Sequence, residues 1–391
     1  MAVRVADRRQ AELPISTEVA RIVRNLDFIL LAAVVGLVAF GLWVLSSVSR
    51  NDVPGDPDYF LLRQSVNVAL GVAVLALMTA LNPEVYRRVR APLYAAALIA
   101  LAIVFVADQI RGTRRWIDVG FFQFQPSELG KVLLILVLAS FLADRARRLD
   151  QWGTTVAAVG LAAAPAVLVF LEPDLGTALV YFAILGAALF VAGTRWLHLA
   201  TLATLGLATV ISLFWVFPAA GIEVLQPYQI ERLTGFLDPD HDPAGATYNV
   251  TQSITAVGSG GLDGRGVEGA TQTNMNYLPE HSTDFIFSSL AEQRGFFGAA
   301  LLLLLYALVV WRGVRTIAIA PSLFTAIVAA SIVVAFVFQV FVNVGMTIGI
   351  APITGIPLPF VSYGGSSMIV MLAMIGLLQA IHVRGRLASE R

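Results

Sequence analysis

The chain has 391 residues, 58% of them hydrophobic and 13% charged. Its mean hydropathy of +0.78 lies outside the range of ordinary soluble domains, so a lipid bilayer is the solvent to expect. A formal net charge of zero removes any global field for nucleic acid, and the lack of cysteine, with four histidines in all, excludes disulfides and thiolate metal sites and argues against a histidine zinc site.

Residues 1–26 are polar and carry Arg4, Arg8, Arg9, Arg21 and Arg24. The apolar run that follows is too long for the core of a cleaved signal peptide and reads as a signal anchor. Roughly 20 apolar residues cross the hydrocarbon core as a helix. Such runs recur near 27–48, 61–81, 91–107, 127–143, 153–171, 177–193, 200–220, 295–311, 322–343 and 366–383. The expected fold is therefore an all-α polytopic membrane protein of about ten transmembrane helices. Its membrane domain spans 27–383, between a cytoplasmic segment 1–26 and a cytoplasmic tail 384–391. Arginine sets the orientation, because short cytoplasmic loops retain positive charge. With both termini inside, Arg87, Arg88, Arg90, Arg145, Arg147, Arg148, Arg195, Arg312, Arg315, Arg384 and Arg386 fall on the cytoplasmic side. A large extracytoplasmic loop, about 222–293, then separates spans seven and eight. It is too long for a plain connector and carries enough apolar side chains, Tyr248, Ile254, Val257, Tyr277, Phe285 and Phe287 among them, to dock on the membrane domain. Tyr248 to Val257 reads as an amphipathic helix lying at the interface, ended by Gly258-Ser259-Gly260-Gly261.

Ionisable groups beside apolar spans are expensive unless paired or used, and outward-facing segments concentrate them. Arg114 and Arg115 lead into Gln125-Pro126-Ser127-Glu128-Leu129-Gly130-Lys131, where Pro126 and Ser127 suit a helix entry. Glu128 and Lys131 stand three apart on one helical face, as an intrahelical ion pair would. Lys131 is also the single lysine among 26 basic residues, and a compact ammonium can approach a phosphate. Glu172-Pro173-Asp174-Leu175-Gly176-Thr177 joins two spans, and Asp174 can cap the second. Asn276 to Phe287 includes Glu280, His281 and Asp284, with Glu292 beyond. Asp284 sits among aromatic residues, where desolvation would raise its pKa and tune it as a general base; capping the next helix is the competing role. The stretch from Pro352 to Ser367, with Pro357, Pro359 and Ser362, cannot be regular helix. At membrane depth such backbone must be buried by protein or line a polar cavity.

In order along the chain, Gly112 to Asp118 with Phe121 to Glu128, Glu172 to Thr177, Tyr248-Asn249 with Gln252-Ser253 and Gly258 to Gly261, Leu278 to Phe287, and Gly355 to Ser367 resemble the SEDS family. Leu290-Ala291-Glu292 and Gly345-Met346-Thr347 with Thr354-Gly355-Ile356 are more similar to its RodA branch, of cell elongation, than to its FtsW branch, of division. One departure stands out: the family usually has two acidic residues where this chain has Glu292-Gln293. The resemblance implies a peptidoglycan glycosyltransferase on the outer face of the bacterial cytoplasmic membrane. Such an enzyme polymerises lipid II into β-1,4-linked strands and releases undecaprenyl diphosphate. It further implies Asp284 as general base, Arg114, Arg115 and Lys131 on the diphosphate, and Glu128, Asp174, Glu280, His281, Glu292 and Ser362 in support. A class B penicillin-binding protein is the implied partner, alongside other elongation-complex proteins and membrane lipids. Diphosphate leaving groups are often accompanied by a divalent cation, magnesium or manganese, for which the sequence shows no dedicated cage. The rival readings are a lipid II flippase, which would need a polar route through the bilayer, and a scaffold with dispensable loop carboxylates.

Overall fold

Local chemistry sets the ends of the helices. The computed structural model describes residues 15–106, 115–118, 120, 122–221, 224, 230, 235 and 247–390. The first arginines of the N-terminal segment, Arg114, and most of the first third of the expected long loop lie outside the described residues. Helix α1 is Ile15–Arg24. The Asp27 carboxylate accepts from the Leu30 amide and starts α2 (Phe28–Val48). Then come α3 (Tyr59–Ala80), α4 (Pro83–Arg88) and α5 (Arg90–Ile103), the last tightening into a 3-10 turn over Val104–Val106. A two-stranded antiparallel ribbon, β1 (Ile117–Asp118) and β2 (Gln123–Phe124), precedes α6 (Pro126–Asp144), whose proline takes the first helical position. Helices α7 (Trp152–Leu171) and α8 (Leu175–Ala192) form the expected hairpin. Helix α9 (Trp196–Ile211) continues through a π turn at Ser212–Val216.

Among the described residues nine helices are long and apolar enough to cross a membrane, and Arg90–Val106 is a shorter apolar one. Together they coincide with the ten expected spans, the third being followed to Val106, where the described residues pause.

From residue 247 onward the chain departs from expectation. Helix α10 (Tyr248–Gly260) runs through Gly258 and stops only at Gly261, whose φ of 55° suits glycine. Two short helices, α11 (Gly266–Gly269) and α12 (Thr271–Asn274), follow. Helix α13 (Ile286–Ala318) begins well before the expected span at 295 and is broken at Gly295, with φ 62° and ψ −161°. The break is filled from outside: the Phe296 amide donates to Gly261 O at 2.9 Å, and the Arg265 amide to Glu292 O at 2.8 Å. A Cβ at position 295 would lie 2.4 Å from both Gly264 N and Leu262 O, so only glycine allows the loop this close. Helices α14 (Leu323–Thr347) and α15 (Gly365–Ser389) complete the fold, separated by the non-helical stretch the prolines predict.

Helix α15 is the axis, with 94% of its apolar window buried. It packs along α3, while α14 lies between α8 and α13, and α6 meets α5, α8 and α14. Helix α9 is the opposite case, for apart from His198 its side chains are exposed or half-exposed. At the end of the bundle away from the 276–285 loop, Asp27 ties three helices together. Arg312 on α13 donates to both its carboxylate oxygens at 3.1 and 2.8 Å, and Gln379 on α15 bonds its backbone in both directions at 2.9 Å.

Gly295→Ala is expected to cost about 2–3 kcal/mol through backbone strain and overlap and to lower the thermal unfolding midpoint in detergent. Gly186→Ala, where an added Cβ meets nothing within 4 Å, should leave that midpoint unchanged or raised.

Candidate active site

The site is assembled around the non-helical backbone between α14 and α15. In lipid each of its polar groups needs a protein partner, and neighbouring helices supply them. Asn343 Nδ2 donates to Ile356 O at 2.8 Å, Tyr306 OH to Pro359 O at 2.6 Å, and Gln64 Nε2 to Ser362 O at 3.2 Å. The Ser362 hydroxyl accepts from the Leu358 amide at 2.8 Å and donates to Thr283 O at 2.5 Å. Ser362 thereby links this loop to the one carrying Asp284.

Asp284 lies half-buried in the turn before α13. It does not cap that helix: the cap position is Phe285, which makes no side-chain cap bond. Its backbone is held instead, with Asn343 Nδ2 donating to Asp284 O at 2.9 Å and the Tyr363 amide to Ser282 O at 3.0 Å. The carboxylate faces Gly355, where a Cβ would stand 3.4 Å from Asp284 Oδ2. The other side of the same loop reaches the α7–α8 hairpin, since a Cβ on Gly176 would lie 2.5 Å from Thr354 O. Residues 354–356 thus lie between Asp284 and the hairpin.

In the hairpin Asp174 does cap α8, accepting from the Thr177 amide at 3.2 Å, and its second oxygen accepts from Gln125 Nε2 at 3.2 Å. Arg115 is half-buried and clasps the turn, its Nε donating to Glu172 O at 3.0 Å and a terminal nitrogen to Pro173 O. Glu172 itself is 2% exposed, and among the described residues neither carboxylate oxygen meets a donor. Burial, then the charge of Asp174, push its carboxyl up to about 8 against the pull of Arg115.

Behind the hairpin Lys131 is 1% exposed. Its ammonium donates to Glu128 Oε1 at 2.6 Å and to Gln339 Oε1 on α14 at 3.0 Å. The ion pair expected from the spacing is present and fully buried, joining α6 to α14. In this conformation Lys131 offers no surface to a diphosphate. Tyr181 on α8 donates to Ser127 O at 3.0 Å and lies within electrostatic range of Glu128, Glu172 and Asp174, so it marks the centre of the carboxylate group.

The remaining expected residues divide. Glu280, in a left-handed conformation with φ 52°, accepts from Thr283 Oγ1 at 2.9 Å. His281 reaches Asp52 on the α2–α3 loop. Glu292 is wholly buried and accepts from the Gln272 and Thr273 amides at 2.8 and 3.0 Å and from Thr273 Oγ1 at 2.8 Å, fastening α12 to α13. Gln293, at the departure from the family pattern, accepts from Ser47 Oγ at 2.7 Å. Arg114 lies outside the described residues. The sequence assigned no role to Glu172, Asp52, Asn343 or Gln339. For Gln339 and Asn343 the available signal was a polar side chain inside an apolar span.

The structure therefore defines a polytopic helical membrane protein whose interhelical loops gather buried carboxylates around one irregular segment. The family model for FtsW, RodA and SpoVE, described as cell cycle protein, matches residues 24–387, and the chain belongs to that family. It is 36% identical over 368 residues to the peptidoglycan glycosyltransferase MrdB of Escherichia coli strain K12, covering 94% of this chain and 96% of the relative. It is 35% identical over 360 residues to stage V sporulation protein E of Bacillus subtilis, covering 90% and 95%. Among solved structures, a chain from work on structural coordination of polymerization and crosslinking by a peptidoglycan synthase complex superposes with a TM-score of 0.77 at 34% identity, covering 92% of this chain and 98% of that one. The rod shape determining protein RodA of Thermus thermophilus gives 0.66 at 32% identity, covering 91% and 96%.

Two stability measurements follow. The unfolded chain ionises Glu172 near its ordinary 4.5 and the folded one near 8. The folded state holds an extra proton between those values, so this residue costs more stability as pH rises through that window. Glu172→Gln should unfold at a higher temperature than wild type at about pH 8, with the difference smallest at about pH 5. Lys131→Met should lose about 3–5 kcal/mol by leaving Glu128 buried and unpaired, whereas Glu128→Gln with Lys131→Met together should recover most of it.

Proposed function

We infer that this chain is a peptidoglycan glycosyltransferase that polymerises lipid II on the outer face of the cytoplasmic membrane during cell elongation. The observation that carries the reading is Asp284, half-buried, its carboxylate facing Gly355 and the backbone of residues 282–284 anchored by Asn343, Ser362 and Tyr363. Family membership and the similarity to an Escherichia coli peptidoglycan glycosyltransferase support it. The arginine pattern supports placing the Asp284 end of the bundle outside and both termini inside.

In the reaction an acceptor sugar hydroxyl attacks the anomeric carbon of the donor. The new C–O bond forms as the bond to the diphosphate breaks, with inversion to a β-1,4 linkage, and undecaprenyl diphosphate leaves. Asp284 takes the hydroxyl proton. Arg114 and Arg115 supply positive charge to the departing diphosphate. Lys131 sits one layer deeper: with Glu128 and Gln339 it fixes the start of α6, and with it the ribbon that carries Arg115. Asp174 orders the hairpin that Arg115 clasps. Among the described residues no three His, Asp or Glu side chains converge to hold a metal. The similarity to a chain of a peptidoglycan synthase complex supports a crosslinking partner, of which a class B penicillin-binding protein is the expected form.

With its class B partner and lipid II in liposomes, Asp284→Ala should lose at least about 100-fold in glycan polymer formation while keeping its fold and partner binding. Polymer at the wild-type rate would move the base to another carboxylate.

A further inference from the structure

The loop from Asn276 to Phe285 is held on one face by α14 and the 358–363 segment. On its other face the contact is ionic. His281 Nε2 lies 2.8 Å from Asp52 Oδ1, and His281 Nδ1 lies 3.1 Å from Leu278 O. The two side chains are 9% and 14% exposed. A carbonyl oxygen can only accept, and so can an ionised carboxylate. Satisfying both therefore requires a proton on each ring nitrogen, and the geometry is that of an imidazolium. A neutral ring, in either tautomer, would set a lone pair against one of the two acceptors.

We propose that His281 and Asp52 form a protonation-dependent clasp, a positioning device that holds the loop carrying Asp284 against the α2–α3 loop and makes glycan polymerisation fall as the external medium becomes alkaline. The proposal rests on the reading of Asp284 as the base. His281 stands three residues before Asp284, and both lie in one turn that starts at Glu280, with φ 52°, and is closed by the Phe285 amide donating to Glu280 O at 3.2 Å. Releasing the imidazole would therefore free one end of a single short turn. The charged groups facing the ring are Asp52 from the α2–α3 loop and Glu280 from its own loop, both acidic. Burial disfavours the cation. The hydrogen bond and charge of Asp52, the Leu278 carbonyl and Glu280 outweigh burial and raise His281 above its ordinary 6.5. The clasp is accordingly complete below that ordinary value and opens as pH rises through the raised one. The anchors at Asn343, Ser362 and Tyr363 are a side-chain amide, a hydroxyl and a backbone amide, which do not titrate there.

The test follows hydrogen exchange of the 276–288 segment and lipid II polymerisation side by side across pH, in the full chain with its partner. After correction for the intrinsic pH dependence of exchange, wild type should lose protection in one single-proton transition above 6.5. Polymer formation should fall about tenfold over the same transition, the effect of one charge-assisted hydrogen bond. Asp52→Asn should move the transition to lower pH, and His281→Arg, which keeps a cation beside Asp52 throughout, should abolish it in both readouts. A transition that persists in His281→Arg, does not move in Asp52→Asn, or appears in exchange without any change in polymerisation would overturn the proposal. Failure of the Asp284 reading is distinguishable, because it shows as polymerisation by Asp284→Ala while exchange still reports whether the clasp opens.

Discussion

An irregular backbone at membrane depth must find every hydrogen-bond partner inside the protein, and that requirement organises this molecule. Two segments impose it: the proline-rich stretch between α14 and α15, and the break in α13 at Gly295. The first is served by Asn343, Tyr306, Gln64 and Ser362, drawn from α14, α13, α3 and the loop itself. The second is served by the backbone of residues 261–265. Each solution brings distant elements to one place. Asn343 bonds both Ile356 and Asp284, the proposed base, so satisfying the loop and placing Asp284 are a single event.

The buried charges obey the same economy of partners. Lys131, Glu128 and Gln339 at one end, and Asp27, Arg312 and Gln379 at the other, each combine an ion pair with a glutamine amide from another helix. A buried pair contributes little net stability against apolar packing, but breaking it is costly. Its effect here is to fix the relative depth of helices whose apolar surfaces would otherwise slide, because lipid and leucine are equivalent neighbours. The two networks sit near opposite ends of the bundle and define no continuous polar route among the described residues.

What was legible in the sequence was local. Span positions follow from apolar length, and the starts of α6 and α8 from Pro126 and Asp174, because those signals act within one turn. The spacing of Glu128 and Lys131 announced their ion pair for the same reason. What was not legible depended on partners far along the chain. Glu292, Gln293 and Arg294 read as the polar end of a loop, yet they are helical and inward. Glu292 meets Gln272 and Thr273, Gln293 meets Ser47, and Arg294 stacks 3.9 Å above Trp43. Lys131 is 208 residues from Gln339, and His281 is 229 from Asp52. No periodicity encodes such separations.

Asp284 shows how these levels combine. Its residue type and aromatic neighbours suggested a tuned carboxylate, but an aspartate just before a helix suggested a cap equally well, and the two roles differ only in where the side chain points. The structure separates them through the cap position, which falls on Phe285 and leaves the Asp284 carboxylate facing Gly355. A capping aspartate spends its oxygens on amide hydrogens and loses basicity. This one has its backbone fixed by Asn343 and the 358–363 segment. Its position is therefore set through the backbone and not by capping the helix, which is what the proposed role of general base calls for.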